Sequence, residues 1–88
     1  MKSAIFIIGS ELGIHARPAA EIVKISAKYN CKVILEANSK KADAKSVFML
    51  LALGAKKGTE LKLNVEGENE EKLFDELNDY IGNNFYEE

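Results

Sequence analysis

His15 is the only histidine of the chain, and it stands in the run Gly13-Ile14-His15-Ala16-Arg17-Pro18-Ala19-Ala20. A neutral imidazole is a nucleophile, and a guanidinium two residues on presents a planar fork of donors that matches phosphate oxygens. Pro18 suits a first helical turn, where a missing N–H goes unnoticed. The first backbone N–H groups of a helix have no partner inside it, and Ser, Thr, Asp or Asn ordinarily accepts one of them. None of those residue types lies between Gly13 and Ala20. The run therefore predicts a helix start whose donors are unused and carry partial positive charge, beside a ring nucleophile and a cation. That is a place for a phosphoryl group, held by Arg17 and by the backbone N–H groups of Ala16 and Arg17. A cation opening a helix opposes the dipole, which favours a phosphate role for Arg17 over decoration.

Such a site needs a scaffold, and the pattern supplies one. Ala4-Ile5-Phe6-Ile7-Ile8 reads as a strand covered by its neighbours, closed by Gly9-Ser10. Helical spacing of Ala19, Ile22, Val23, Ser26 and Ala27 predicts a helix from Pro18 to about Lys28. Val33, Leu35 and Ala37 share one face of a strand over 32–37, and Lys40 to Asp43 returns after Asn38-Ser39 as a hairpin. Ser46 caps a short apolar helix that ends at Leu53, with Gly54 just past it. Leu61, Leu63 and Val65 alternate along a strand over 60–66. Asn69 with Glu70 and Glu71 opens a last helix, striped by Leu73, Phe74, Leu77 and Ile81, and Asn83 to Glu88 is expected to fray. The order β-α-β-β-α-β-α predicts an α+β fold, in which a four-stranded antiparallel sheet is covered on one face by three helices.

Composition narrows the function. Eighty-eight residues, 47% of them hydrophobic, are expected to form one domain over 1–88 with a small core. Twelve basic and fourteen acidic residues leave a formal charge of −2, so no excess recruits nucleic acid directly. Lys24, Lys28, Lys40, Lys41 and Lys45 precede an acidic final third, an asymmetry that suits an acidic protein partner near His15 as well as it suits an ordinary solvated surface. A single cysteine, Cys31, cannot form an intrachain disulfide. One His and one Cys make no metal-ligand set, so no metal and no cofactor is expected. The early apolar run is far too short for a signal core or a membrane span, which places the protein in the cytoplasm without membrane insertion.

The His15 run resembles the active-site signature of the histidine-containing phosphocarrier (HPr) family of the bacterial phosphoenolpyruvate-dependent sugar phosphotransferase system. Lys45-Ser46-Val47-Phe48-Met49-Leu50-Leu51-Ala52-Leu53-Gly54 is similar to that family's regulatory-serine segment, and Lys57-Gly58-Thr59 to the turn after it. The resemblance spans essentially the whole chain. It implies an open-faced β-sandwich and a phosphohistidine at Nδ1 of His15. It also implies receipt from enzyme I and delivery to the EIIA component of sugar permeases, by a monomeric carrier that is not a catalyst on its own. Ala16, Ala20, Lys24, Val47, Phe48, Leu51 and Gly54 are the positions this places in partner contact. Phe48, Leu51 and Leu53 cannot all face inward from so short a helix, so part of the set should be exposed.

Ser46 carries two readings, a helix cap, which the residues alone favour, or, as the resemblance implies, a regulatory site acted on by a dedicated kinase and phosphorylase and read by a catabolite-control transcription regulator. The family's regulated members commonly have Ile-Met-Gly after that serine, where this chain has Val47-Phe48-Met49, and often Gly in the hairpin turn, where it has Ser39. Three alternatives stand beside the carrier reading. One is a mainly regulatory protein acting through Ser46, another a phosphocarrier of a nitrogen branch, and the third a small-ligand-binding domain, which would leave His15 and Arg17 without a purpose.

Overall fold

The computed structural model describes residues 1–87. Four strands, β1 (Lys2–Ile7), β2 (Cys31–Ala37), β3 (Lys40–Asp43) and β4 (Glu60–Gly67), alternate with helices α1 (Ala16–Ser26), α2 (Val47–Ala52) and α3 (Glu70–Gly82). The strands form one antiparallel sheet in the order β1-β4-β2-β3. This is the predicted α+β architecture, with helices on one face of an open sheet. Alternation fixes which face is covered. Val33 and Leu35 of β2 and Leu61, Leu63 and Val65 of β4 are buried against Ile22 of α1, Leu50 of α2 and Leu73 and Leu77 of α3. Their partners on the other face, including Lys32, Lys62 and Glu66, meet solvent.

The hairpin turn demands left-handed backbone at both central residues, Asn38 (φ 53) and Ser39 (φ 63). Asn bears this well, and its side chain does a second task. Asn38 Nδ2 donates to the carbonyls of Leu53 (2.9 Å) and Gly54 (3.1 Å), so the hairpin closes the C-terminal end of α2.

Several expectations need correction. β1 is not covered on both sides, because the helices cover one face of the open sheet only, and Ile5 and Ile7, on the other face, are 61% and 64% exposed. α1 begins at Ala16 and stops at Ser26, and it buries Ile25 where Ala27 had been expected. Asn69 holds the N-cap position of α3 in left-handed backbone and makes no side-chain cap bond. The Glu70 carboxylate takes up a nearby donor instead, accepting from the Gly67 N–H at 3.1 Å. The tail after Asn83 does not fray over its described part, since Asn84–Tyr86 forms a 3₁₀ turn with Phe85 buried. Glu88, the end of the expected tail, lies outside the described residues.

Candidate functional site

His15 is the N-cap residue of α1, in extended backbone (φ −101, ψ −171), and no side chain among the described residues caps the helix. No acidic residue occupies the first turn, so among the described residues no side chain takes up the donors of that turn. Pro18 is the third helical residue, within the stretch where an N–H has no intrahelical partner, and it is buried. The chain reaches this start through a loop held to the end of α2. The Ile14 N–H donates to the Ala55 carbonyl at 2.9 Å. Gly13 (φ +62) makes the approach possible, because a Cβ there would lie 2.1 Å from the Ala55 oxygen. Any other residue at 13 would push the His15 loop away from α2.

The imidazole is 30% exposed. Its Nε2 lies 3.0 Å from Oε2 and 3.3 Å from Oε1 of Glu87. Glu87 Oε1 also accepts from the hydroxyl of buried Ser10 at 3.0 Å. Sequence reasoning missed this carboxylate, which lies in a segment expected to be loose. The signal that could have found it is the pair Phe85-Tyr86, since two aromatic side chains have enough apolar area to dock a tail. Phe85 packs with its ring centroid 5.5 Å from that of Tyr80, and the Tyr86 hydroxyl donates to Asp79. Burial and the neighbouring carboxylates of Glu21 and Glu87 hold the Tyr80 phenol above its usual range, with Arg17 opposing them, so the Tyr80 hydroxyl stays neutral beside the site. Arg17 is exposed on the first turn and lines two shallow clefts, one shared with Tyr80 and the other with Ser10 and Glu87, with Tyr86 in both.

Ser46 caps α2 as expected, its Oγ accepting from the Met49 N–H at 3.2 Å. From α2, Phe48 is 82% exposed and Val47, Met49 and Leu51 are also exposed, while Leu50 and Leu53 are buried. Helices α1 and α2 pack together. Ala16, Ala20 and Lys24 are exposed at four-residue spacing on α1, so they share one face. With Val47, Phe48, Leu51 and Gly54, every position assigned to partner contact is solvent-accessible. Met49 joins this apolar set and had not been singled out. Among the described residues, no group of three or more His, Cys, Asp or Glu side chains could hold a metal ion, and no helix is long and apolar enough to cross a membrane.

Residues 2–83 match the family model described as the PTS HPr component phosphorylation site. The chain is 39% identical over 79 residues to phosphocarrier protein HPr of Pseudomonas aeruginosa, covering 89% of this chain and 88% of that one. It is 41% identical over 75 residues to the multiphosphoryl transfer protein of Haemophilus influenzae, a match to 82% of this chain and 15% of that much longer protein. The crystal structure of HPr from Thermoanaerobacter tengcongensis superposes with a TM-score of 0.91 at 38% identity, covering 100% of this chain and 99% of the other.

Proposed function

This chain belongs to the HPr family of phosphotransferase-system phosphocarriers, and we propose that His15 is the residue on which it carries the phosphoryl group. The group arrives from phosphorylated enzyme I, itself charged by phosphoenolpyruvate, and leaves for an EIIA component. The observation that supports this most is the uncapped start of α1 at His15. The incoming phosphate meets N–H donors of Ala16 and Arg17 that have no partner among the described residues, and the Arg17 fork adds charge-assisted bonds. The protein is a relay in the cytoplasm, with each partner supplying the rest of the transfer site. One exposed face formed by α1 and α2 serves donor and acceptor in turn, which calls for small, quickly released interfaces.

Ser46 is proposed as a second phosphorylation site, of regulatory effect. Phosphate at the start of α2 adds about −1.5 to −2 of charge next to Phe48 and Lys45, where it repels an acidic donor without disturbing the sheet.

Incubation with phosphoenolpyruvate and enzyme I, followed by intact mass measurement, tests the main reading. One phosphate should be added, lost in mild acid and kept in base, and His15→Ala should abolish the uptake while keeping the wild-type circular dichroism spectrum. An acid-stable adduct, or unchanged labelling of His15→Ala, refutes it.

A further inference from the structure

We propose that Glu87 is a positioning residue for His15: its carboxylate holds the proton on Nε2 and so presents the Nδ1 lone pair for phosphoryl transfer. The inference rests on the carrier reading above and adds to it a residue and a role. An ionised carboxylate only accepts hydrogen bonds, so a ring nitrogen 3.0 Å from Oε2 must carry the hydrogen. In a neutral ring the other nitrogen then holds the free pair, because the bond made by one nitrogen fixes the state of its neighbour.

Glu87 is well held for this task. It is only 15% exposed, and Ser10, itself buried, donates to Oε1 and fixes the direction of the carboxylate. The segment that delivers it is anchored twice more. Asn84 Oδ1 accepts the Gly9 N–H at 3.2 Å, and Phe85 is buried against the core. Three consecutive residues, Asn84, Phe85 and Tyr86, adopt left-handed backbone. That is costly for residues with a Cβ, and aromatic ones above all, and it persists only where surrounding contacts impose it. The strain brings one carboxylate to the one histidine.

The chemistry balances without a proton transfer. The Nδ1 lone pair forms the N–P bond while the bond from phosphorus to the donor's leaving atom breaks, its electron pair departing with the donor. Nε2 keeps its hydrogen, and the ring becomes a phospho-imidazolium whose positive charge lies against the Glu87 carboxylate. This is the part a buried aspartate plays behind a catalytic histidine in hydrolases, by orientation and charge and not by taking the proton. Onward transfer returns the N–P pair to Nδ1, and the ring leaves as neutral imidazole.

The test compares wild type, Glu87→Ala and Glu87→Gln by ring-nitrogen NMR of His15 and by the rate of phosphorylation from enzyme I. Wild type should show one neutral tautomer, protonated at Nε2, with a slowly exchanging ring N–H. Glu87→Ala should lose that resonance, mix the tautomers and slow phosphorylation about tenfold, as for one lost charge-assisted hydrogen bond. Glu87→Gln can still accept from Nε2 and donate to Ser10, so it should restore the single tautomer and recover only part of the rate. Its partial rescue separates the hydrogen bond from the charge, and a merely structural role for the tail would move neither. Unchanged ring-nitrogen signals in Glu87→Ala, or an unchanged rate despite altered signals, overturns the proposal. Wild type that takes up no phosphate at all refutes the carrier reading instead, and the NMR comparison still reports on the contact.

Discussion

The starts of α1 and α2 both leave from an N-cap residue in extended backbone and are finished in opposite ways. At α2 the Ser46 hydroxyl takes the Met49 N–H into an internal bond, and the helix start is complete. At α1 the N-cap residue is His15, whose ring turns to Glu87 and caps nothing. Stability favours the first arrangement, by about 0.5–2 kcal/mol for a serine cap over alanine. The second forgoes that gain, and on the proposed carrier reading it keeps the donors available for a phosphoryl group that is present for only part of the cycle. Proteins commonly tolerate such local losses where function requires them.

The strongest way to break the contrast is to finish α1 in the manner of α2. His15→Ser and His15→Ala should both lose all phosphate uptake from enzyme I. Between these two variants, both without the Glu87 bond, His15→Ser should be the more stable by about 1 kcal/mol in denaturant unfolding. Equal stability would show that the α1 start is not short of a cap. Next in size is Arg17→Ala, which should slow accepting and donating phosphate by tenfold or more, with an order of magnitude per lost charge-assisted contact. Its fold should suffer little, because a cation at a helix start opposes the dipole. Wild-type rates in both directions would make Arg17 a solvated surface residue.

Much of this contrast was legible in the sequence. The absence of Ser, Thr, Asp and Asn around His15 and the serine before Val47 are local facts, and local facts survive folding. Asn38 and Gly54 were likewise legible as left-handed positions, because few other residues adopt positive φ at low cost. What the sequence hid depends on contacts distant along the chain. The alternation of β1 is masked because Ile5 and Ile7 are as apolar as the Phe6 and Ile8 that turn inward, so an edge strand with one solvated face reads like a covered one. Asn69 has the right type for a cap, and its left-handed backbone removes the side chain from that role. The Glu87 contact spans nearly the full chain length and rests on a three-residue turn too short for any periodicity. Its only local sign is Phe85-Tyr86.

Ser46 sharpens the comparison from the other side, with effects smaller than those at His15 and Arg17. Ser46→Ala should cost about 0.5–2 kcal/mol through the lost cap and leave transfer rates unchanged. Ser46→Asp keeps an acceptor at the helix start and should retain the wild-type circular dichroism spectrum. It should still slow phosphorylation of His15, most clearly at low salt, since new negative charge on the docking face repels an acidic donor. Equal rates for Ser46→Asp and wild type at low ionic strength would confine Ser46 to capping.

The smallest effect lies at the far end of α1, and it tests whether the open start is a local property of that helix. Just past α1, Lys28 Nζ donates to Glu76 at 2.8 Å and the Tyr29 hydroxyl donates to the other carboxylate oxygen at 2.6 Å, tying the end of α1 to α3. The hydrogen bond from Lys28, and then that from Tyr29, hold the Glu76 carboxyl below the ordinary glutamate range. The same contact with Glu76 raises the Lys28 ammonium and the Tyr29 phenol. A carboxyl lowered by folding adds stability above its unfolded value, and that stability drains away as pH falls through the lowered one. The raised lysine and tyrosine keep their contribution through neutral pH and lose it on the alkaline side. Glu76→Gln should therefore be less stable than wild type by a constant amount near neutrality. The gap should close as pH falls below about 4, followed by denaturant unfolding at each pH. The pair is half-exposed, so the gap should be small and should shrink with added salt. Phosphate uptake at His15 should be unaffected, because the first turn of α1 is held by the Gly13 loop and the Ala55 carbonyl and not by the distant end of the helix. A slower uptake in Glu76→Gln at neutral pH would mean that the tie at the far end also sets the donors at the start.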